Sequence, residues 1–134
     1  LRLEAFLSGL FLCLQRVGGG AQERLPDWLR AALLEFARPR HLAGGVPELA
    51  RLAGRTREHI NRVVRKHLGQ TSTDLMNGLR LEYAARELGM SGRPILDIAL
   101  DAGFENLSYF YRLFTRRFGA TPRKFRLKKQ MLVS

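Results

Sequence analysis

Two arginines fifty residues apart, Arg62 and Arg112, are the side chains best placed to do chemistry in this 134-residue chain. A guanidinium is a rigid fork of donors, and guanine presents O6 and N7 side by side in the major groove of a duplex, so one arginine can grip one guanine with two parallel bonds. Arg57, Glu58, Asn61 and Arg65 accompany the first arginine, and Ser108, Tyr109, Thr115 and Arg116 the second. A surface helix with an ordinary solvated face would also be charged. Arginine, asparagine and hydroxyls gathered near a helix start, however, are groups that reach base edges. No competing chemistry has a matching set. His59 and His67 are eight residues apart on one predicted helix, too far to share a metal, and His41 is the only other histidine. Cys13 lies in an apolar segment, which predicts burial and not nucleophilic attack. No carboxylate pair, phosphate loop or triad stands out, so no catalytic residues, metal ligands or cofactor are expected and an enzyme is disfavoured.

The two arginines occupy equivalent places in a repeated segment. Leu49-Ala50-Arg51-Leu52-Ala53-Gly54 matches Ile98-Ala99-Leu100-Asp101-Ala102-Gly103 at an offset of 49, and one extra residue in the second turn then makes the offset 50. Thr56 matches Asn106, Ile60 matches Phe110, Val63 and Val64 match Leu113 and Phe114, and Leu68-Gly69 matches Phe118-Gly119. An alanine allows close helix approach, a glycine four residues on supplies a positive φ, and an apolar residue beyond plugs the interhelical angle. That spacing is the signature of a helix-turn-helix, here present twice.

The charge balance fits a phosphate-rich partner. There are 23 Lys and Arg against 12 Asp and Glu, a formal net charge of +11, and residues 119–134 hold five basic groups and no acidic one. Charge alone would equally suit a nonspecific architectural or RNA-binding protein, but two dissimilar reading faces argue for sequence recognition. A single cysteine excludes a disulfide framework within the chain. The longest apolar run is far short of the roughly 20 residues that a spanning helix needs, and no signal peptide is legible, so a cytoplasmic protein is expected. The abrupt apolar start without Met suggests a fragment of something longer.

The elements that must hold these side chains read as helices throughout, with no period-two alternation to suggest strands. Leu3, Phe6, Leu10 and Leu14 lie on one face of a helix over residues 1–17. That face needs a partner: an upstream effector-binding domain, or a second copy of the chain in a homodimer. With only Arg2 and Arg16 basic in the segment, a membrane surface fits poorly. Gly18-Gly19-Gly20 reads as a linker. Pro26 opens a helix that ends before Pro39, Gly44-Gly45 marks a break, and Pro47 starts a short helix to Gly54. Thr56 caps the next, ended by Gly69, and Thr71 caps a long helix to about Leu88. Residues 89–92 should break the chain before Pro94, after which Asn106 and Thr121-Pro122 repeat the capping logic. The Lys128-Lys129 tail is expected to be an unstructured end.

Taken together, residues 25–128 resemble the DNA-binding domain of the AraC family of bacterial transcription regulators. The resemblance is carried by Ile98-Ala99, Ala102-Gly103-Phe104, Ser108-Tyr109-Phe110, Arg112-Leu113-Phe114, Arg116-Arg117-Phe118-Gly119, Thr121-Pro122 and Phe125-Arg126. The first half adds Leu49-Ala50, Ala53-Gly54, Arg62, Lys66, Gly69, Arg80-Leu81, Ala84-Ala85 and Leu88. It implies an all-α fold of about seven helices: one helix-turn-helix unit over 25–70, a linker helix over 71–89 and a second unit over 90–128, followed by a basic tail over 129–134 and preceded by residues 1–24 as the end of another domain. It further implies two recognition helices, about 56–67 and 107–118, in successive major grooves of double-stranded DNA, with Glu58, Asn61, Arg62, Ser108, Tyr109 and Arg112 at the bases. RNA polymerase is a further expected partner. Val64 stands where Phe is common in the family, which implies a slimmer first unit. Candidate phosphate contacts are Arg57, Arg65, Lys66, Arg93, Arg116 and Arg123, with backbone amides near Thr56 and Asn106. A linker helix of eighteen residues spans about 27 Å, comparable with the roughly 34 Å of one DNA turn.

Overall fold

Short polar side chains start four of the helices by the same device. In the computed structural model, which describes residues 25–133, Thr56 Oγ1 accepts from the His59 amide (3.1 Å) and Thr71 Oγ1 from the Asp74 amide (3.0 Å). Asn106 Oδ1 accepts from the Tyr109 amide (3.0 Å) and Thr121 Oγ1 from the Lys124 amide (3.3 Å). Each bond satisfies one amide that a helix start leaves without a partner. Four helices end where the sequence places Gly54, Gly69, Gly103 and Gly119, all left-handed.

Between these stops lie eight helices, with no strand among the described residues: α1 Asp27–Phe36, α2 Pro39–Leu42, α3 Gly45–Ala53, α4 Arg57–Leu68, α5 Ser72–Met90, α6 Ile95–Ala102, α7 Leu107–Phe118 and α8 Pro122–Val133. The expected all-α architecture is present: α3–α4 and α6–α7 are the two helix-turn-helix pairs, and the 19-residue α5 joins them. The apolar segment 1–17, with Leu3, Phe6, Leu10 and Leu14, lies outside the described residues.

Four boundaries differ from expectation. Pro39 begins a one-turn helix, because Arg38 is extended and a proline at the first helical position comes with its φ preset; four residues are too few for periodicity to reveal. Helix α3 starts at Gly45, two residues before Pro47. Helix α5 runs through Gly89 to Met90. One helical glycine costs only about 1 kcal/mol relative to alanine, and here its bareness has a use: a Cβ at Gly89 would lie 3.6 Å from Lys129 Cβ, so α8 packs close against α5 there. Finally, α8 carries Lys128 and Lys129 on a helix that continues to Val133, held to α5 by Arg126, which donates to the Leu88 carbonyl (3.2 Å) and the Arg93 carbonyl (2.6 Å). The chain is thus helical where an unstructured end was expected, with Arg126 tying α8 to the carbonyls at the end of α5 and just beyond it.

The core runs through both units. Leu29, Leu33, Phe36, Leu42, Leu49, Ile60 and Val64 fill the first, Leu75, Leu79 and Leu88 line α5, and Ile98, Ala102, Phe104, Phe110 and Phe114 fill the second. The units also touch directly. Helix α2 packs on α1, α3, α5 and α6. Arg80 of α5 threads this junction, its Nε donating to the Leu42 carbonyl (3.0 Å), and burial lowers its pKa.

Candidate nucleic-acid interface

Helices α4 and α7 are each twelve residues long, each starts at a polar N-cap, and each ends at a left-handed glycine. Their inner faces are fixed by Ile60, Val64 and Leu68 in one and by Phe110 and Phe114 in the other, all buried. That leaves Glu58, Asn61, Arg62 and Arg65 in one exposed stripe at i, i+3, i+4 and i+7. Ser108, Tyr109, Arg112 and Arg116 are exposed on α7. Arg57, Lys66 and Arg123 are exposed as well, so all but one of the candidate contacts face solvent.

Arg93 is the one that is only partly exposed. It is half-buried, paired with Asp101 and lying 3.7 Å from Glu87 Oε2. Hydrogen bonds to Asp101 and to the Tyr83 hydroxyl raise its pKa further above the usual arginine range. A cation shared between two carboxylates closes the α5–α6 connection, a structural role for Arg93 beside the phosphate contact expected of it.

Other side chains hold the helices at their angles. In the first unit Trp28 of α1 stacks on His59 of α4 (5.4 Å between ring centroids), with the Arg55 guanidinium 4.8 Å from the indole. Asn61 Oδ1 accepts from the Ser72 amide at 3.4 Å, linking α4 to the start of α5. Behind α3 lies an ionic cluster that periodicity could not reveal. His41 is buried, with Nδ1 2.6 Å from Glu48 Oε2 and Nε2 3.3 Å from Glu35 Oε1. The Arg51 guanidinium, which donates to Glu48, and then His41 lower the Glu48 carboxyl from the ordinary 4.5 to about 2. Glu35 is lowered too, chiefly by Arg40.

The second recognition helix is tied to α5 at two points. Asn77 Nδ2 donates to the Tyr109 hydroxyl (3.1 Å), and Arg117 donates to Glu82 Oε1 (3.0 Å). Between the two helices opens a cleft of about 570 Å³ lined by Asp74, Asn77, Leu81, Tyr109, Arg112 and Arg116 among others. Asn77 and Glu82 carry no local signal, because each partner is more than thirty residues away. Among the described residues no group of three His, Cys, Asp or Glu could hold a metal ion, and no helix is long and apolar enough to cross a membrane.

Comparison with known proteins agrees with this geometry. A family model described as a helix-turn-helix domain matches residues 49–128. The chain is 39% identical over 75 residues to the HTH-type transcriptional regulator CdhR of Pseudomonas aeruginosa, a match that takes in 56% of this chain and 22% of that protein. It is 37% identical over 78 residues to the regulatory protein SoxS of Escherichia coli, 58% of this chain and 73% of that protein. In fold it is similar to the C-terminal domain of AraT, a response regulator from Geobacillus stearothermophilus, with a TM-score of 0.65 at 24% identity over 79% of this chain and 88% of the other. A structure of the xylose-binding transcription activator xylR likewise gives a TM-score of 0.65, at 21% identity over 80% of this chain and 28% of that one. The two sequence relatives are named as a transcriptional regulator and a regulatory protein. With its family model matched over more than half its length, the chain belongs to the AraC-type helix-turn-helix family of transcription regulators.

Proposed function

We propose that this chain reads a long, asymmetric double-stranded DNA site, with α4 and α7 in successive major grooves on one face of the duplex. The observation that carries the proposal is the pairing of sameness and difference. The two recognition helices match in length, caps and the arginine pair Arg62 and Arg112, whereas Glu58 and Asn61 on one face stand against Ser108 and Tyr109 on the other. Equal scaffolds with unequal faces suit two different half-elements better than a palindrome. Arg57, Arg65, Lys66, Arg116 and Arg123, with the amides at the starts of α4 and α7, supply phosphate contacts that fix position without reading sequence. The linker helix, about 28 Å long at 1.5 Å per residue, sets the separation at roughly one DNA turn.

The matched relatives bear the names of transcription regulators, and the chain aligns with only part of the longer ones. On that footing residues 25–128 act as the DNA-reading part of a regulator with no catalytic role of its own. RNA polymerase is the partner at the promoter, and residues 1–17 are the contact to an effector-binding domain or a second copy.

Selection from random duplexes followed by footprinting tests the proposal. Two dissimilar half-elements about one turn apart on one face are expected. A palindrome, or no enrichment at all, would overturn it. Arg112→Ala should then relax preference at one or two base pairs, while Lys66→Ala should weaken every sequence alike and lower the salt slope by about 1.

A further inference from the structure

Tyr109 and its first-unit counterpart His59 share an unexpected feature. Both are aromatic rings at the third position of a recognition helix, both backbone amides donate to the N-cap side chain, and both rings are anchored to a helix outside the helix-turn-helix pair. His59 stacks on Trp28 of α1. Tyr109 is held by its hydroxyl, which accepts from Asn77 of α5, and its ring lies 6.3 Å from that of Phe104. One turn along α7, the Arg112 guanidinium lies 5.2 Å from the centroid of the Tyr109 ring, within cation–π range. A free arginine side chain samples many rotamers, and ordering it on binding costs entropy. A fixed aromatic platform removes part of that cost before DNA arrives.

We propose that Tyr109 is a positioning residue that aims Arg112, and that Asn77, on the linker helix, sets the specificity of the second half-element by holding Tyr109. The inference rests on α7 being a base-reading helix and reassigns Tyr109 within it. The Arg117–Glu82 pair fixes a second point further along α7, so the linker helix controls the direction of the recognition helix as well as its place. Asn77, Tyr109 and Arg112 line one concavity between α5 and α7, so the Asn77–Tyr109 latch and the arginine it would aim share a single surface.

A double-mutant cycle on the protein with its selected duplex tests the idea, scoring every single-base variant of both half-elements for Asn77→Ala, Tyr109→Phe and the double variant, with thermal unfolding alongside. The latch predicts that each single change lowers discrimination at the Arg112 base pair by about tenfold, within the span of one bidentate arginine–guanine contact. It also predicts that the double variant is no worse than either and that preferences under α4 do not move. Loss at that base pair in Tyr109→Phe but not in Asn77→Ala would make the hydroxyl a direct reader and overturn the proposal. So would equal loss across both half-elements, or unchanged preferences in all three variants. Failure of the unsubstituted protein to select any site would instead sink the DNA-reading role itself.

Discussion

Where the first unit has Val64 the second has Phe114, and the exchange sets the character of each. Val64 belongs with Ile60 and Leu49 to a mainly aliphatic interior in which, among the described residues, Phe36 is the one fully buried ring. Phe114 is at the middle of a ring cluster, with centroids 5.6 Å from Phe110, 4.6 Å from Phe118 and 5.2 Å from Phe125. The first unit carries beside its core the His41-centred cluster of Glu35, Glu48 and Arg51, whereas the second unit's core is filled by aromatic rings. Duplication thus keeps the turn, the caps and the arginine, which geometry dictates, and leaves the choice of filling to each copy.

Truncating the matched core positions should expose that difference most strongly. Phe114→Ala removes a fully buried ring packed against three aromatic neighbours, and a loss of about 3–5 kcal/mol is expected. Val64→Ala removes two methyl groups and should cost about 2 kcal/mol. Chemical denaturation of both variants checks this, and equal losses would mean that the ring cluster is no better packed than its aliphatic counterpart.

The turn glycines give the next contrast. Both are left-handed, Gly54 at φ 65° and Gly103 at φ 106°. A Cβ on Gly54 would meet nothing within 4 Å, whereas one on Gly103 would lie 2.7 Å from Arg80 Nε and 3.0 Å from Ala43 Cα. Gly54→Ala should therefore cost the backbone penalty alone, about 1–2 kcal/mol. Gly103→Ala adds an overpacking cost and should reach about 3 kcal/mol, because a backbone atom is among the obstacles. If the two variants unfold at the same denaturant concentration, the units do not meet at Gly103 as tightly as the geometry requires.

Much of this was legible beforehand because it is local. Caps, stop glycines and apolar stripes depend on residues within one or two turns, so the helices bearing Arg62 and Arg112 could be placed from Thr56, Gly69, Asn106 and Gly119 alone. The one-turn α2 was hidden by its length, and the continuation of α5 past Gly89 depends on how α8 packs. At the candidate interface, residue types indicated which side chains face out but not which are already engaged. Arg93 looked like any other basic residue until Asp101 and Glu87 closed on it, and Asn77 gave no sign because Tyr109 is thirty-two residues away. Contacts across that distance arise from tertiary packing, which neither spacing nor propensity encodes.

The smallest effect expected separates the units by their response to acid. In the first unit the Glu48 carboxyl titrates at about 2 when folded, against an ordinary 4.5, because Arg51 and His41 bond its ionised form. An unfolded chain takes up that proton first as the pH falls. The stabilisation is therefore complete above about pH 4.5 and is lost progressively as the pH drops toward 2. Glu48→Gln keeps the shape of the side chain without the charge, and should flatten this part of the stability curve while lowering stability at neutral pH. Solvent reaches the pair, so the change is modest. Trp28, the single tryptophan, lies in the first unit and reports there by fluorescence, while near-ultraviolet dichroism of the ring cluster follows the second. Earlier acid loss at Trp28 than at the rings, abolished in Glu48→Gln, is the expected result. Simultaneous loss at both probes in both proteins would show that α2 and Arg80 couple the units into one cooperative body, in which the ionic and aromatic fillings stand or fall together.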